Sequence, residues 1–287
     1  MEIFVMLPRI VTKRPAAIFL HLAISAIALL YLAPFLWMLC AAFKTPGDIF
    51  QHSFLPWGHL HDLTLRNFAV LFSRVPFGVW LANSIFFSST QTFLVVTLSS
   101  LAGFALAKYE FAGKRPLMAA MLATMLLPGV VLLPGYLDLM SRLGWFNSAK
   151  AIILPGSISV FGAFLFRQSM RAVPDELIHA ARVDGCIELR IWWEVALPLT
   201  RPMTAAFTLL SFLSAWNSYL WPSTVLQDQR MFTVPMGLAN MIGLPEFESQ
   251  YGVLMAGALI GMLPVIVLFF ALQKDFIAGL SSGALKG

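Results

Sequence analysis

Charged residues are scarce in this 287-residue chain: 11% of its residues are charged and 59% are hydrophobic. Soluble domains carry about 25% charged residues, and a soluble fold of this size has no interior large enough for so much apolar surface. The composition therefore excludes an ordinary soluble protein and predicts a protein that lies in a lipid bilayer. The net charge of +5 comes from scattered basic residues. Since they form no basic stripe, we expect no nucleic-acid partner.

Cysteines and catalytic motifs are scarce as well. The two cysteines, Cys40 and Cys186, lie in different segments and form no CxxC or Cys/His cluster, so neither a disulfide nor a metal site is expected. The chain has no HExxH, no GxSxG and no pair of carboxylates on one helical face, which predicts no catalytic residues and no enzyme activity. It also lacks a P-loop, so any ATP that drives it must be bound by a partner.

Six stretches are apolar enough to cross a bilayer, which takes about 20 helical residues. They lie at about 16–43, 79–107, 116–137, 149–170, 203–222 and 251–273. The first follows three basic residues, as in a signal peptide, but its apolar part exceeds the about 7–15 residues of a signal core. We therefore expect it to remain in the membrane. The predicted fold class is an all-α membrane protein with six transmembrane helices.

Basic residues fall unevenly on the two sides of the predicted helices. With the N-terminus inside, thirteen of the 19 basic residues face the cytoplasm, and positive flanks are retained there. Both termini are therefore predicted to be cytoplasmic. The expected plan is a cytoplasmic N-terminus at 1–15, a six-helix domain at 16–273 containing a cytoplasmic loop at 171–202, and a cytoplasmic tail at 274–287.

Ionisable side chains are nearly absent from the six stretches. His21 lies within the first, while Asp138 and Arg167 lie near segment ends. Ion-coupled carriers usually need intramembrane acidic or basic groups, so this scarcity argues against such a carrier. Prolines recur instead, and the third stretch contains Pro128-Gly129 and Pro134-Gly135. These two pairs either shape the helix or line a solute pathway.

The loop at 171–202 carries helix signals. Pro174 suits the first position of a helix, the acidic pair that follows suits its positive end, and Gly185 suits its stop. A second short helix is predicted over about 187–197, ended by Pro198. Such a helix–Gly–helix element with small residues on its surface either receives another protein or rests on lipid headgroups.

One pattern in this loop is P-x-E-L-x-x-A-A-R-x-D-G, followed after a spacer by L-P-L. It resembles the "EAA" coupling loop of binding-protein-dependent ABC importer permeases, and is most similar to the second permease of the maltose-permease-like carbohydrate branch. The matching residues are Pro174, Glu176, Leu177, Ala180, Ala181, Arg182, Asp184, Gly185, Leu197, Pro198 and Leu199. The likeness extends to Phe43-Lys44, Asn83-Ser84, and the segments 215–222 and 278–287.

This resemblance implies a permease that moves a sugar or related polyol across the cytoplasmic (inner) membrane by alternating access. Glycerol 3-phosphate or another small solute is the alternative. The implied partners are a second permease subunit, two ATPase subunits that bind ATP and magnesium, an extracytoplasmic solute-binding protein and membrane lipid. This chain itself would bind no cofactor. Two other classes stay open, an ion-gradient carrier and a structural or assembly protein without transport.

The resemblance also implies sites for the ATPase. The expected coupling residues are Glu176, Leu177, His179, Ala180, Ala181, Arg182, Asp184 and Gly185. The tail would reach the ATPase interface through Gly283, Lys286 and Gly287. The family usually has a glutamate where this chain has His179, so a carboxylate is missing there. Glu176, one helical turn earlier, is the candidate substitute.

Three residues near the end of the fifth stretch are candidates for the solute path: Trp216, Asn217 and Tyr219. Aromatic faces and one amide suit a sugar or polyol. The alternative is an aromatic belt at the membrane interface, where Trp and Tyr are enriched. The outer loop at 223–250 would face the binding protein.

Overall fold

A computed structural model of the chain describes residues 14–51, 63–242, 244, 247 and 250–284. Every regular element within these residues is helical, which confirms the predicted all-α class. The α-helices are α1 (Arg14–Ala42), α2 (Asp48–Gln51), α3 (Arg66–Arg74), α4 (Phe77–Lys108), α5 (Lys114–Met125), α6 (Leu133–Leu143), α7 (Ala149–Ile153), α8 (Val160–Met170), α9 (Asp175–Val183), α10 (Glu188–Ile191), α11 (Leu197–Leu199), α12 (Arg201–Trp216), α13 (Leu220–Val225), α14 (Val234–Ile242) and α15 (Tyr251–Ala284). Short 3₁₀ turns cover Gly129–Leu132, Pro155–Ser157 and Gln229–Met231, and a π-helical turn covers Trp192–Ala196.

Three helices are long and apolar enough to cross a membrane alone: α1 over Ile18–Ala42, α4 over its full length, and α15 over Tyr251–Asp275. Three further spans arise only if a bent pair of helices counts as one, with bends of 94°, 41° and 89°. The described residues therefore hold between three and six candidate spans. Six helices with both termini cytoplasmic stay a prediction.

The third predicted stretch is not one helix. α5 ends at Met125, a 3₁₀ turn follows, and α6 continues to Leu143 after a bend of 94°. Pro128 has an extended backbone with φ −61° and ψ 127°, and Pro134 lies in the first turn of α6. Because proline lacks an N–H and clashes with the preceding turn, two prolines this close divide the stretch.

The fourth, fifth and sixth stretches lie closer to their predicted bounds, with the following differences. The fourth divides into α7 and α8 with a bend of 41° near Ser159, whose hydroxyl caps α8 by accepting from the Gly162 amide. In the fifth stretch α12 begins at Arg201 after a sharp bend and ends at Trp216. The stretch predicted over 203–222 is therefore two helices, α12 and the start of α13. The sixth runs eleven residues past its predicted end, as α15 reaches Ala284.

Two clusters of buried side chains form the interior, one beside each half of α4. The first core includes Phe77, Trp80 and Phe87 from the N-terminal half of α4. The second core includes Val95 and Phe104 from its C-terminal half. A methyl group at Gly103 would lie 2.7 Å from the Arg167 backbone nitrogen, so this glycine lets α4 and α8 cross closely. α4 is thus the common support for whatever lies at each end.

Candidate functional site

The helix–Gly–helix element predicted in the loop is present. α9 ends at Val183, and Gly185 adopts a left-handed φ of +79°, which glycine tolerates without strain. The Cys186 amide donates to the Ala181 carbonyl at 3.0 Å and closes the helix end. This confirms the predicted stop. Pro174 is the extended residue before α9, with φ −58° and ψ 133°, rather than its first helical residue.

The second arm of this hairpin is longer than predicted. It runs through α10, the π-helical turn and α11, and it ends at Leu199 rather than before Pro198. The Leu197 amide donates to the Trp192 carbonyl five residues back. This wider turn makes room for the proline ring, which would otherwise clash with a carbonyl one α-turn earlier.

Lys108, the last residue of α4, ties the first arm of the hairpin to the membrane helices. Its Nζ donates to the Val173 carbonyl and to the Asp175 carboxylate, both at 2.6 Å. The hydrogen bond from Lys108 holds the pKa of Asp175 below its usual range. Ile178 is 1% exposed and lies in the second core. α9 is therefore attached to α4 by an ion pair and by apolar packing.

Arg182 joins the two arms of the hairpin. Its Nε and Nη2 contact the two oxygens of Glu188 at 2.7 and 3.2 Å, and its guanidinium lies 5.6 Å from the centre of the Tyr109 ring. Hydrogen bonding from Arg182 lowers the pKa of Glu188. Burial first, and then hydrogen bonding to Glu188, raise the pKa of Tyr109. Such two-point arginine–carboxylate pairs hold a fixed geometry, so the structure places Arg182 inside the hairpin.

The other predicted coupling residues share the outer surface of α9. Glu176, His179 and Ala180 are exposed, as are Asp184 and Gly185 beyond the helix, and Leu177 is 46% exposed. Ala181 is half-buried against the second core. Among the described residues, Glu176 has no hydrogen bond or ion pair. Its carboxylate is therefore available to a partner.

A cavity of about 470 Å³ lies beside the N-terminal half of α4, within the size range of small-molecule sites. Its polar lining comes mainly from Ser84, Ser88 and Gln91, and its aromatic lining from Phe87, Tyr136, Trp216 and Trp221. None of its lining residues is charged. The cavity therefore offers hydroxyls, one amide and aromatic faces to a ligand.

The breaks in the third and fourth stretches build two walls of this cavity. Gly129, at the first break, and Pro155-Gly156, at the second, both line it. A methyl group on Gly156 would collide with the Gln91 side chain. The absence of a side chain at Gly156 therefore lets the Gln91 amide group pack against the backbone there. Trp221 is fixed by its Nε1, which donates to the Ala151 carbonyl at 2.7 Å. Pro128 thus lies at the break in the helix and Gly129 lines the cavity, while a solute pathway along this pair stays a prediction.

The structure brings two of the three predicted solute-path residues, Trp216 and Asn217, to one cavity and leaves Tyr219 apart. Trp216 is 5% exposed, stacks on Phe212 with ring centres 5.5 Å apart, and lines the cavity. Asn217 is exposed and, together with Trp216, lines a neighbouring cavity of about 270 Å³. Tyr219 is 49% exposed and lines neither.

Sequence reasoning missed the polar stripe on α4. Ser84, Ser88 and Gln91 are spaced four and three residues apart, which places them on one helical face. In a stretch that is otherwise apolar, this spacing is a signal that could have found the cavity. Of the predicted tail contacts, Gly283 lies in the last turn of α15, and Lys286 and Gly287 lie outside the described residues.

Comparison with known proteins adds to this geometry. Residues 95–280 match the family described as binding-protein-dependent transport system inner membrane component. The arabinooligosaccharides transport system permease protein AraQ of Halalkalibacterium halodurans is 34% identical over 269 residues, covering 93% of this chain and 96% of that protein. The chain belongs to this family of importer permeases.

Two further relatives extend the likeness of this permease. The lactose transport system permease protein LacG of Rhizobium radiobacter is 31% identical, over 90% of this chain and 92% of its own. The sn-glycerol-3-phosphate transport system permease protein UgpE of Pectobacterium atrosepticum is 31% identical, over 83% of this chain and 84% of its own.

A solved structure shares the fold of the permease. It is a bacterial ABC transporter involved in the import of the acidic polysaccharide alginate, with a TM-score of 0.81 and 22% identity. The likeness covers 96% of this chain and 100% of that one. The permease is therefore a non-catalytic inner-membrane subunit of an ATP-driven ABC importer. This confirms the family resemblance that the loop motif indicated. The two alternative classes, an ion-gradient carrier and a structural protein, are therefore set aside.

Proposed function

We propose that this permease imports a neutral sugar or a related polyol. The observation that carries the proposal is the cavity beside α4, whose lining has hydroxyls, an amide and aromatic rings but no charge. Sugars offer many neutral hydrogen-bonding groups and flat apolar faces, which this lining matches. The relatives named for arabinooligosaccharides and lactose point the same way.

The relative named for sn-glycerol 3-phosphate supplies the alternative solute. An anionic phosphate would need a cation along its path, since charge within a membrane is costly without a partner. The cavity offers no lysine or arginine. The lining of this chain therefore favours a neutral solute over a phosphorylated one.

The proposed assembly has a second permease subunit, two ATPase subunits that hold ATP and magnesium, and an extracytoplasmic solute-binding protein. The hairpin would lie on the cytoplasmic side, with α9 seated in a groove of the ATPase and Glu176 replacing the carboxylate missing at His179. The ion pair between Lys108 of α4 and Asp175 of α9 supports this role, because it links the two helices directly. A displacement of α9 would therefore move α4. Movement of α4 would then open and close the solute cavity in alternating access.

Solute uptake by the complete importer in proteoliposomes tests the proposal. We expect ATP-dependent uptake of a labelled neutral oligosaccharide, and no uptake of labelled sn-glycerol 3-phosphate. Gln91→Ala should lower sugar uptake about fivefold, because one net hydrogen bond contributes about 1 kcal/mol. Ser89→Ala is the matched control, since Ser89 is exposed on the same helix and does not line the cavity. Uptake of the phosphate ester alone would overturn the proposal.

A further inference from the structure

A second cavity, of about 430 Å³, lies at the turn between α4 and α5 and is strongly basic. Lys114, Arg115 and Arg167 line it, and Glu110 is its one acidic residue. Three cations against one carboxylate leave it with a net charge of +2. This basic pocket plays no part in the solute cavity or in the hairpin described above.

The positive charge of the basic pocket is not balanced within the described residues. Glu110 is held by Lys114 at 2.8 Å. Arg115 makes no hydrogen bond or ion pair there, and Arg167 uses only its Nε, which donates to the Leu106 carbonyl at 3.3 Å. Hydrogen bonding from Lys114 lowers the pKa of Glu110, and the charges of Arg115 and Arg167 contribute. Lys114, Arg115 and Arg167 are therefore close enough for their positive charges to act together within the pocket.

Four other cations near this end of the protein are neutralised, whereas Arg171 forms no ion pair within the described residues. Lys108, Arg182, Arg190 and Arg201 each hold a carboxylate at 2.6 to 3.0 Å. Neither guanidinium group of the basic pocket holds a carboxylate within the described residues, in contrast to those four cations. A free guanidinium presents a planar set of donors that fits phosphate oxygens two at a time.

The basic pocket lies where two candidate spans end. α4 finishes at Lys108, and the bent span that starts with α5 begins at Lys114. Beside the pocket, α5 exposes large apolar side chains: Leu117 is 46% exposed, Leu122 50% and Met125 44%. An anionic group bound at the cations would therefore have an apolar surface leading away from it along α5.

We propose that the basic pocket binds the phosphodiester headgroup of an anionic membrane phospholipid. The guanidinium groups of Arg115 and Arg167 hold the phosphate oxygens, and the acyl chains lie along the apolar face of α5. Basic pockets at the ends of membrane helices are the places where such headgroups bind. Free phosphate shares the headgroup chemistry, but it has no use for the apolar face, which favours the lipid.

Spin-labelled phosphatidylglycerol, added to the complete importer in phosphatidylcholine nanodiscs, tests this site. The fraction of immobilised label gives the preference for the anionic lipid. Arg115→Gln should reduce that preference about fivefold, the contribution of one basic residue near an anionic headgroup. Arg115→Lys should keep most of it. Arg171→Gln is the matched control, because Arg171 is exposed nearby and lies outside the pocket. Thermal unfolding of each variant reports folding.

Three results would overturn the assignment. Equal losses in Arg115→Gln and Arg171→Gln would show general attraction of a basic surface for anionic lipid. Displacement of the label by millimolar inorganic phosphate or glycerol phosphate would show a site for free phosphate. Release of the ATPase subunits by Arg115→Gln, with lipid binding unchanged, would show a protein contact instead.

Discussion

The two ends of α4 differ in charge. Its N-terminal half borders the cavity of about 470 Å³, which has no charged lining residue. At its C-terminal end Lys108 forms an ion pair with the hairpin, and Arg182 and Arg190 each hold a carboxylate within the hairpin. An ionised side chain costs about 2.5–3.5 kcal/mol at the centre of a membrane helix. An exposed ion pair contributes about 0.2–1 kcal/mol. Charged side chains are therefore absent from the cavity lining and present, mostly in ion pairs, at the end of α4 that bears the hairpin.

The largest expected effect comes from placing a charge in the neutral cavity. Ser88 is 3% exposed and lines it. Ser88→Asp should lower sugar uptake about a hundredfold, as expected from about 2.5–3.5 kcal/mol for a carboxylate within the membrane. Uptake in proteoliposomes measures this. Ser88→Asn, of the same size but neutral, should stay within a few fold of the native protein. Equal loss in both variants would show that size, not charge, matters.

The next effect concerns the free carboxylate on the hairpin. Glu176→Gln removes no contact within the described residues, so it should leave folding unchanged and weaken the grip on the ATPase. Loss of one partner of an interfacial charge pair costs about 2–5 kcal/mol, so uptake should fall at least about tenfold while ATP hydrolysis continues. Both rates are measured on the same proteoliposomes. Glu194→Gln, from an exposed pair, is the control. Normal uptake in Glu176→Gln would contradict its role.

A smaller effect is expected inside the hairpin. Glu188→Gln takes away the carboxylate that Arg182 holds at two points. Since both side chains are partly exposed, the loss should be about 1 kcal/mol. Hydrogen exchange of the amides at 182–188 should then quicken about fivefold. Arg190→Gln, which breaks an exposed pair in the second arm, should change exchange little. Unchanged exchange in Glu188→Gln would remove Arg182 as the joint between the arms.

The smallest effect is the pH dependence of the same hairpin. The pKa values of Asp175 and Glu188 are lowered, first by hydrogen bonds from Lys108 and Arg182. Lowered carboxyl pKa values give stability that is present above the ordinary pKa of about 4 and is lost as pH falls through the folded value. Exchange protection of the hairpin should therefore be constant from about pH 8 to 5 and decline below about pH 4. A decline near pH 6 would contradict this.

Local signals in the sequence were sufficient for the first arm of the hairpin. The acidic start of α9 and its stop at Gly185 depend on neighbours within a few residues, so the pattern predicts them. The partners of that arm were out of reach. Lys108 lies 65 residues from Val173 and 67 from Asp175, and no spacing rule connects them.

In the apolar stretches, local signals in the sequence are present but do not by themselves predict the structure. The prolines of the third stretch were visible, but a long apolar run predicts one continuous helix, and only packing against α4 shows that the break lines a cavity. Pro198 predicts the end of the second helix of the hairpin, but the π-helical turn before it accommodates the proline ring and the helix continues to Leu199. Asn217 and Tyr219 follow Trp216 closely, yet α12 ends at Trp216 and neither of them lines the cavity of about 470 Å³.

Co-purification from native membranes tests most directly whether the hairpin holds the importer together. The detergent-solubilised permease is expected to bring with it a P-loop ATPase and a second membrane subunit. The ATPase should be lost when residues 174–186 are deleted and retained in Ser88→Asp, whose change lies in the cavity beside the N-terminal half of α4. Recovery of the chain alone or as a homo-oligomer, or retention of the ATPase after the deletion, would contradict the account.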